Sequence, residues 1–131
     1  MIVIDASAAI ELLLRTDLGL RIAERTLATN DSAHAPHLFD IEVCQALRRL
    51  LMSRELSVDR AHSAMEDLRD FPVTRHSHEP LLPRVWSLRS SMTAYDAAYV
   101  ALAEALDAPL ITCDAKLARA QGHHASVELL G

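Results

Sequence analysis

Four acids stand where a folding argument would not put them. Asp5 closes the apolar run Met1-Ile2-Val3-Ile4, Asp114 closes Pro109-Leu110-Ile111-Thr112-Cys113, and Glu42 and Asp96 lie inside helix-like stretches. None of the four has a basic residue beside it in sequence. If a parallel sheet gathers them, they form a carboxylate cup that repels itself unless a cation fills it, so a divalent-metal site is the first expectation. Ser7 and Thr112 lie two residues after Asp5 and two before Asp114. Their hydroxyls could hydrogen-bond the carboxylates or a coordinated water, or could simply begin a helix and end a strand.

Each acid also has a plain structural use. Asp5 and Asp114 could cap helices, accepting otherwise unpaired N–H groups at the positive end of the helix dipole. Both, however, follow apolar strands, and open parallel sheets place their ligands at the carboxyl ends of strands. Asp96 fits a capping pattern in Thr93-Ala94-Tyr95-Asp96. At about 100° per residue it also shares a stripe with Tyr99, Val100 and Ala103, and a charge on a buried stripe needs a partner. Glu42 falls at the border of an apolar arc containing Val43, Cys44, Ala46, Leu47, Leu50 and Leu51, where an exposed pairing with Arg49 or Gln45 competes with a site role. Glu11, Glu24, Asp31, Asp59, Glu66, Asp67 and Asp70 read as helix starts or solvated faces.

The elements that would position these residues alternate. Strand-like segments at 1–4, 33–35, 72–76, 109–113 and 125–129 are separated by helical stretches, which predicts an α/β chain: a three-layer α/β/α sandwich around a short parallel sheet, in a single domain over 1–131. Asp5 is placed to cap a helix over 6–14, and Asp17 one over 18–29 that stops near Asn30. Pro36 suits the first turn of the next helix, whose body runs from Leu38 to Met52. Ser57 caps 58–70, ending before Pro72. Pro80 and Pro83 sit early in a helix over 79–90, where Pro83 implies a delayed start. Thr93 caps 94–107, and Gly122 ends a helix over 115–121.

Composition narrows the classes. A chain of 131 residues with 50% hydrophobic content can bury a core without staples. Only three glycines occur, Gly19, Gly122 and Gly131, so neither a GxGxxG nor a GxxxxGK[ST] phosphate loop can be written. A net charge of -5 argues against nucleic-acid binding by bulk electrostatics. Cys44 and Cys113 read as small buried apolar side chains, with no CxxC spacing, which fits a reducing cytoplasm. No apolar run approaches the roughly 18 residues of a membrane span, and no basic region precedes the first apolar residues. The seven histidines lack zinc-ligand spacing and read as surface residues.

The strings Val3-Ile4-Asp5-Ala6-Ser7, then Ala35-Pro36 with Glu42-Val43 and Ala46-Leu47, then Tyr95 to Glu104, then Leu110-Ile111-Thr112-Cys113-Asp114 resemble the PIN-domain ribonucleases. Within that family the chain is similar to VapC-type toxins of bacterial type II toxin-antitoxin pairs. The resemblance implies Asp5, Glu42, Asp96 and Asp114 as the metal-binding catalytic set, with Ser7 and Thr112 in support. It implies Mg²⁺ or Mn²⁺ as cofactor, RNA as substrate, a cognate antitoxin as partner and a homodimer. A water activated by the cation would attack the phosphodiester in line. One departure stands out: some members carry a further acid just after the fourth, where this chain has Ala115 and Lys116.

Local support for RNA lies in arginine. Twelve of the 13 basic residues are Arg, and Arg48, Arg49 and Arg54 cluster beyond Glu42, while Tyr95 and Trp86 could stack bases. Two other readings remain open. An Asp5-nucleophile phosphatase would want a second acid where Ser7 stands, and a non-catalytic module would use the same acids to bind metal or an arginine-bearing partner.

Overall fold

Short apolar strands with no polar alternation can be buried only if helices cover both faces of their sheet. The computed structural model, which describes residues 1–131, meets that condition. Strands β1 (Ile2–Ile4), β2 (Ala33–Pro36), β3 (Val73–His76), β4 (Leu110–Thr112) and β5 (Val127–Leu129) form one sheet in the order β3-β2-β1-β4-β5, and every neighbouring pair is parallel. All residues of β1 and β4 are buried.

Parallel neighbours need long crossovers, and helices supply them. Helices α1 (Ala6–Leu13) and α2 (Asp17–Thr29) join β1 to β2, and α3 (Leu38–Met52) and α4 (Val58–Arg69) join β2 to β3. A 3₁₀ turn (Glu79–Leu81), α5 (Leu82–Ser87) and α6 (Ala94–Leu106) lead to β4, and α7 (Ala115–Arg119) leads to β5. The result is the expected α/β/α sandwich.

Sheet order fixes where a site can form. The chain builds outward from β1 to β2 and β3, then returns to the other side of β1 for β4 and β5. Strand order therefore reverses between β1 and β4, the place where connections diverge and open a crevice at the carboxyl edge. Asp5 follows β1 and Asp114 closely follows β4, so the two flank that crevice.

Several boundaries differ from expectation, each for a local reason. Thr16, not Asp17, caps α2: its hydroxyl accepts from Gly19 N at 3.0 Å. Pro36 ends β2 opposite His76 instead of opening α3, and the N–H of His37 donates to His76 O at 2.8 Å, so chain pairing continues past the proline. The 79–90 stretch splits at Pro83, which stands in the first turn of α5, the delayed start its geometry suggested. Helix α7 ends at Arg119 with Ala120 extended, and Gly122 lies beyond it at φ 86°.

Side-chain placement corrects two further expectations. Cys44 is exposed, because α3 buries Phe39, Val43 and Leu47 and residue 44 is turned away from that line. His34 is only 9% exposed, since β2 is covered on both faces. Its Nδ1 and His76 Nε2 are 2.9 Å apart, and Ser32 Oγ is 2.9 Å from its Nε2. Burial lowers its pKa, which fits a neutral ring in that chain of hydrogen bonds.

One glycine is required by contact. A Cβ on Gly19 would stand 2.1 Å from Glu11 O, so α1 and α2 can approach only without it. Alanine in a helix interior is worth about 1 kcal/mol over glycine, but overpacking against backbone costs about 1–3 kcal/mol and here wins. Gly19→Ala is therefore expected to lower stability by about 2 kcal/mol net, measured by urea denaturation; a midpoint at or above wild type would contradict the close approach.

Candidate functional site

The N-terminal turns of α1, α3, α6 and α7 all lie at the carboxyl edge of the sheet, and each contributes one acid. Asp5 caps α1, Glu42 is the fifth residue of α3, Asp96 the third of α6, and Asp114 caps α7. All four line one cleft of about 400 Å³, together with Ser7, Arg49, Tyr95 and Tyr99. The four acids singled out in the sequence therefore share one cleft.

Asp5 is the most constrained of the set. It is 5% exposed, and its Oδ1 accepts from Ser7 Oγ at 2.6 Å and Ala8 N at 3.1 Å, while Oδ2 accepts from Thr112 Oγ1. The two hydroxyls also receive bonds. Cys113 N donates to Ser7 Oγ at 2.9 Å, and Asp114 N donates to Thr112 Oγ1 at 3.0 Å. Ser7 and Thr112 thus tie the end of β1 to the end of β4, and both plain uses and site support coincide in them. Thr112 is fully buried behind Asp5 and does not line the cleft.

The other three acids are less encumbered. Asp114 Oδ1 accepts from Lys116 N at 2.9 Å as a helix cap. None of the four acids belongs to an ion pair, which sets aside the alternative pairing of Glu42 with Arg49. Carboxylates elsewhere are matched instead: Arg75 forks onto Asp40, Arg84 onto Glu104 and Arg25 onto Glu128.

Burial in a partly dry cleft raises the carboxyl pKa values of Asp5, Glu42 and Asp96. Burial is the main cause for Asp5, opposed by its hydroxyl and backbone donors and reinforced by Asp114. For Glu42, burial raises the value, the nearby Tyr99 hydroxyl lowers it, Asp96 and Asp5 raise it again, and the Arg49 charge lowers it. Asp96 is raised by burial, then by Asp114 and Asp5, with Lys116 acting the other way. Each of these three feels the charge of at least one other acid of the cleft.

This donor set suits a hard divalent cation, being all oxygen and in no ion pair. No three His, Cys, Asp or Glu side chains are gathered tightly enough to enclose an ion by themselves. Like charges spread, and an ion that keeps several waters needs no closed protein cage. A thiol nucleophile finds no support: burial pushes the Cys113 pKa up to about 11.

Two features escaped the sequence reading. Arg49, singled out only as one of a surface cluster, lines the cleft. Tyr99, read only as a stripe residue, also lines it, and its hydroxyl is buried without a hydrogen-bond partner. The signal available was its position three residues after Asp96, one helical turn along the same face. Trp86 and Tyr95 are exposed, and Trp86 carries Arg89 over its ring at 4.8 Å.

Residues 2–122 match the PIN domain family. The chain belongs to it. This PIN domain is 43% identical to Ribonuclease VapC12 of Mycobacterium tuberculosis over 130 residues, 99% of each chain. It is 41% identical to Ribonuclease VapC1 of the same organism, across 98% of this chain and 96% of that one. Among solved structures, the PIN domain is similar to Mycobacterium tuberculosis VapC20, a toxin that cleaves the sarcin-ricin loop, with TM-score 0.64 and 16% identity over 90% of this chain and 93% of that one. It is equally similar in fold to VapBC2 of Rickettsia felis bound to a promoter DNA fragment, with TM-score 0.64 and 13% identity over 100% of both chains.

Charge crowding in the PIN domain has a measurable sign. Folding raises the Asp96 pKa, so folding disfavours the charged form; the penalty is absent below the ordinary value of 3.8 and complete above the raised folded value. Asp96→Asn removes it. In chelator, the stability gained by Asp96→Asn should be near zero below about pH 4, grow as pH rises and level off toward neutrality. Urea midpoints of both proteins across that range measure it, and a gain that shrinks with pH would refute the raised Asp96 carboxyl.

Proposed function

We propose that the chain is a metal-dependent endoribonuclease, a VapC-type toxin that cuts RNA phosphodiester bonds with Mg²⁺ or Mn²⁺ and is neutralised by a cognate antitoxin. The observation that carries this reading is the convergence of Asp5, Glu42, Asp96 and Asp114 on one cleft without an ion-paired base. Curated relatives at 43% and 41% identity bear the name ribonuclease, which supports RNA as the substrate class. The VapC naming of those relatives likewise supports an antitoxin partner, and the family resemblance supports a homodimer. No helix is long and apolar enough to cross a membrane, which accords with action on RNA in the cytoplasm.

In this reading the four carboxylates hold the cation, and Ser7 and Thr112 hold Asp5. A bound Mg²⁺ or Mn²⁺ lowers the pKa of water and offsets charge on the phosphoryl oxygens. The protein's part is placement. Asp5 cannot swing, because both of its oxygens are hydrogen-bonded to groups anchored in α1 and β4. Asp96 and Glu42 sit opposite on α6 and α3, on the two helices that wall the cleft. Arg49 is the basic side chain within the cleft and is placed to meet an RNA phosphate that the acids alone would repel.

The same constraint disfavours Asp5 as a covalent nucleophile. Its lone pairs are largely committed to three donors, and the position two residues on is a serine whose hydroxyl is used in the same network.

Purified protein free of antitoxin should cleave cellular RNA at single-stranded or loop positions with Mg²⁺ or Mn²⁺ and lose that activity in chelator. Asp96→Asn should retain the fold by circular dichroism while cleavage falls at least about 100-fold. Cleavage by Asp96→Asn at the wild-type rate, on gels of labelled RNA, would sink the assignment.

A further inference from the structure

We propose that Tyr99 is a positioning residue of this site, its hydroxyl being the donor that orients the Glu42 carboxylate within the cleft. The inference rests on the metal-dependent reading above. Tyr99 Oη is the sole buried side-chain nitrogen or oxygen in the chain without a hydrogen-bond partner. The residue is only 2% exposed, among the largest fully buried side chains. Buried hydroxyls are nearly always paired, and an orphan calls for a use. The ring itself packs into the core as a phenylalanine would, so it is the oxygen that needs a reason.

Its surroundings supply one. Tyr99 lies one turn after Asp96 on α6 and lines the same cleft as the four acids. Glu42, half-buried on α3, lines the same cleft and lies near enough to couple with the phenol. Glu42 is half-buried and belongs to no ion pair, which leaves its carboxylate free to turn onto this donor. Donors behind a ligating carboxylate set which oxygen faces the ion, and losing one commonly weakens metal binding about 10–100-fold.

Tyr99→Phe deletes the oxygen alone. Calorimetric titration with Mn²⁺, without RNA, should show affinity reduced about tenfold, while the melting temperature in chelator is unchanged or raised. In a Glu42→Ala background, with Mn²⁺ binding followed by electron paramagnetic resonance, Tyr99→Phe should cost nothing further. Wild-type affinity in Tyr99→Phe, or an undiminished loss in the Glu42→Ala background, would overturn the proposal. So would a clear drop in melting temperature in chelator, since the hydroxyl would then already be supporting the fold. Wild-type protein binding Mn²⁺ no better than Asp96→Asn would instead defeat the metal reading itself, and this inference with it.

Discussion

Repulsion among like charges is the force the rest of this structure must resist. Asp5, Glu42 and Asp96 have their ionisation opposed by burial, and each also feels the charge of another acid of the cleft. Left to themselves such groups would separate or take up protons. What keeps them together is covalent and topological: each is fixed to the first turns of a helix that enters from the carboxyl edge of one sheet. The positive ends of those helix dipoles give partial compensation, worth only about 0.3–1 kcal/mol each at exposed sites. That is too little to neutralise four carboxylates, so the cleft keeps a net negative charge.

The restraint is strongest where the sheet order reverses. Ser7 and Thr112 each accept a backbone N–H from the end of β4 and donate to Asp5 at the end of β1. A strand end is ordinarily the loosest part of a sheet, yet here a carboxylate serves as the hub that closes it. Function and folding therefore draw on the same hydrogen bonds. Away from the cleft the chain follows the opposite policy, with arginine forks covering Asp40, Glu104 and Glu128. Arg49 enters the cleft but forms no such fork.

Much of this was legible in the residues, and the exceptions have physical reasons. Helix α3 was bounded as expected from Leu38 to Met52, because a long amphipathic run is a strong signal. The central strands β1 and β4 were legible too, since buried apolar runs that each end at a capping aspartate leave few alternatives. Pro36 was misplaced because a proline suits a first helical turn and a strand terminus equally well, and only the partner strand decides. Cys44 and His34 were misjudged for a related reason. Exposure depends on which neighbours arrive, and α3 turns residue 44 outward while two helix layers close over β2. The four acids were found by type and context, but their mutual approach was not deducible from spacing alone, separated as they are by crossovers. The Tyr99 hydroxyl was invisible for the converse reason: on a helical stripe, a tyrosine reads as core.

Acceptor capacity bears on what kind of ion the cleft suits. A carboxylate offers about four lone-pair directions, and three hydrogen bonds already reach Asp5, two on Oδ1 and one on Oδ2. One direction on Oδ2 is left. Asp114 has spent part of Oδ1 on its helix cap, leaving Oδ2 uncommitted. Only Glu42 and Asp96, the two acids off the strand ends, remain largely unspent. A site with so few free protein oxygens, spread by repulsion and not closed into a cage, matches an ion that retains much of its hydration and takes further oxygens from a phosphate.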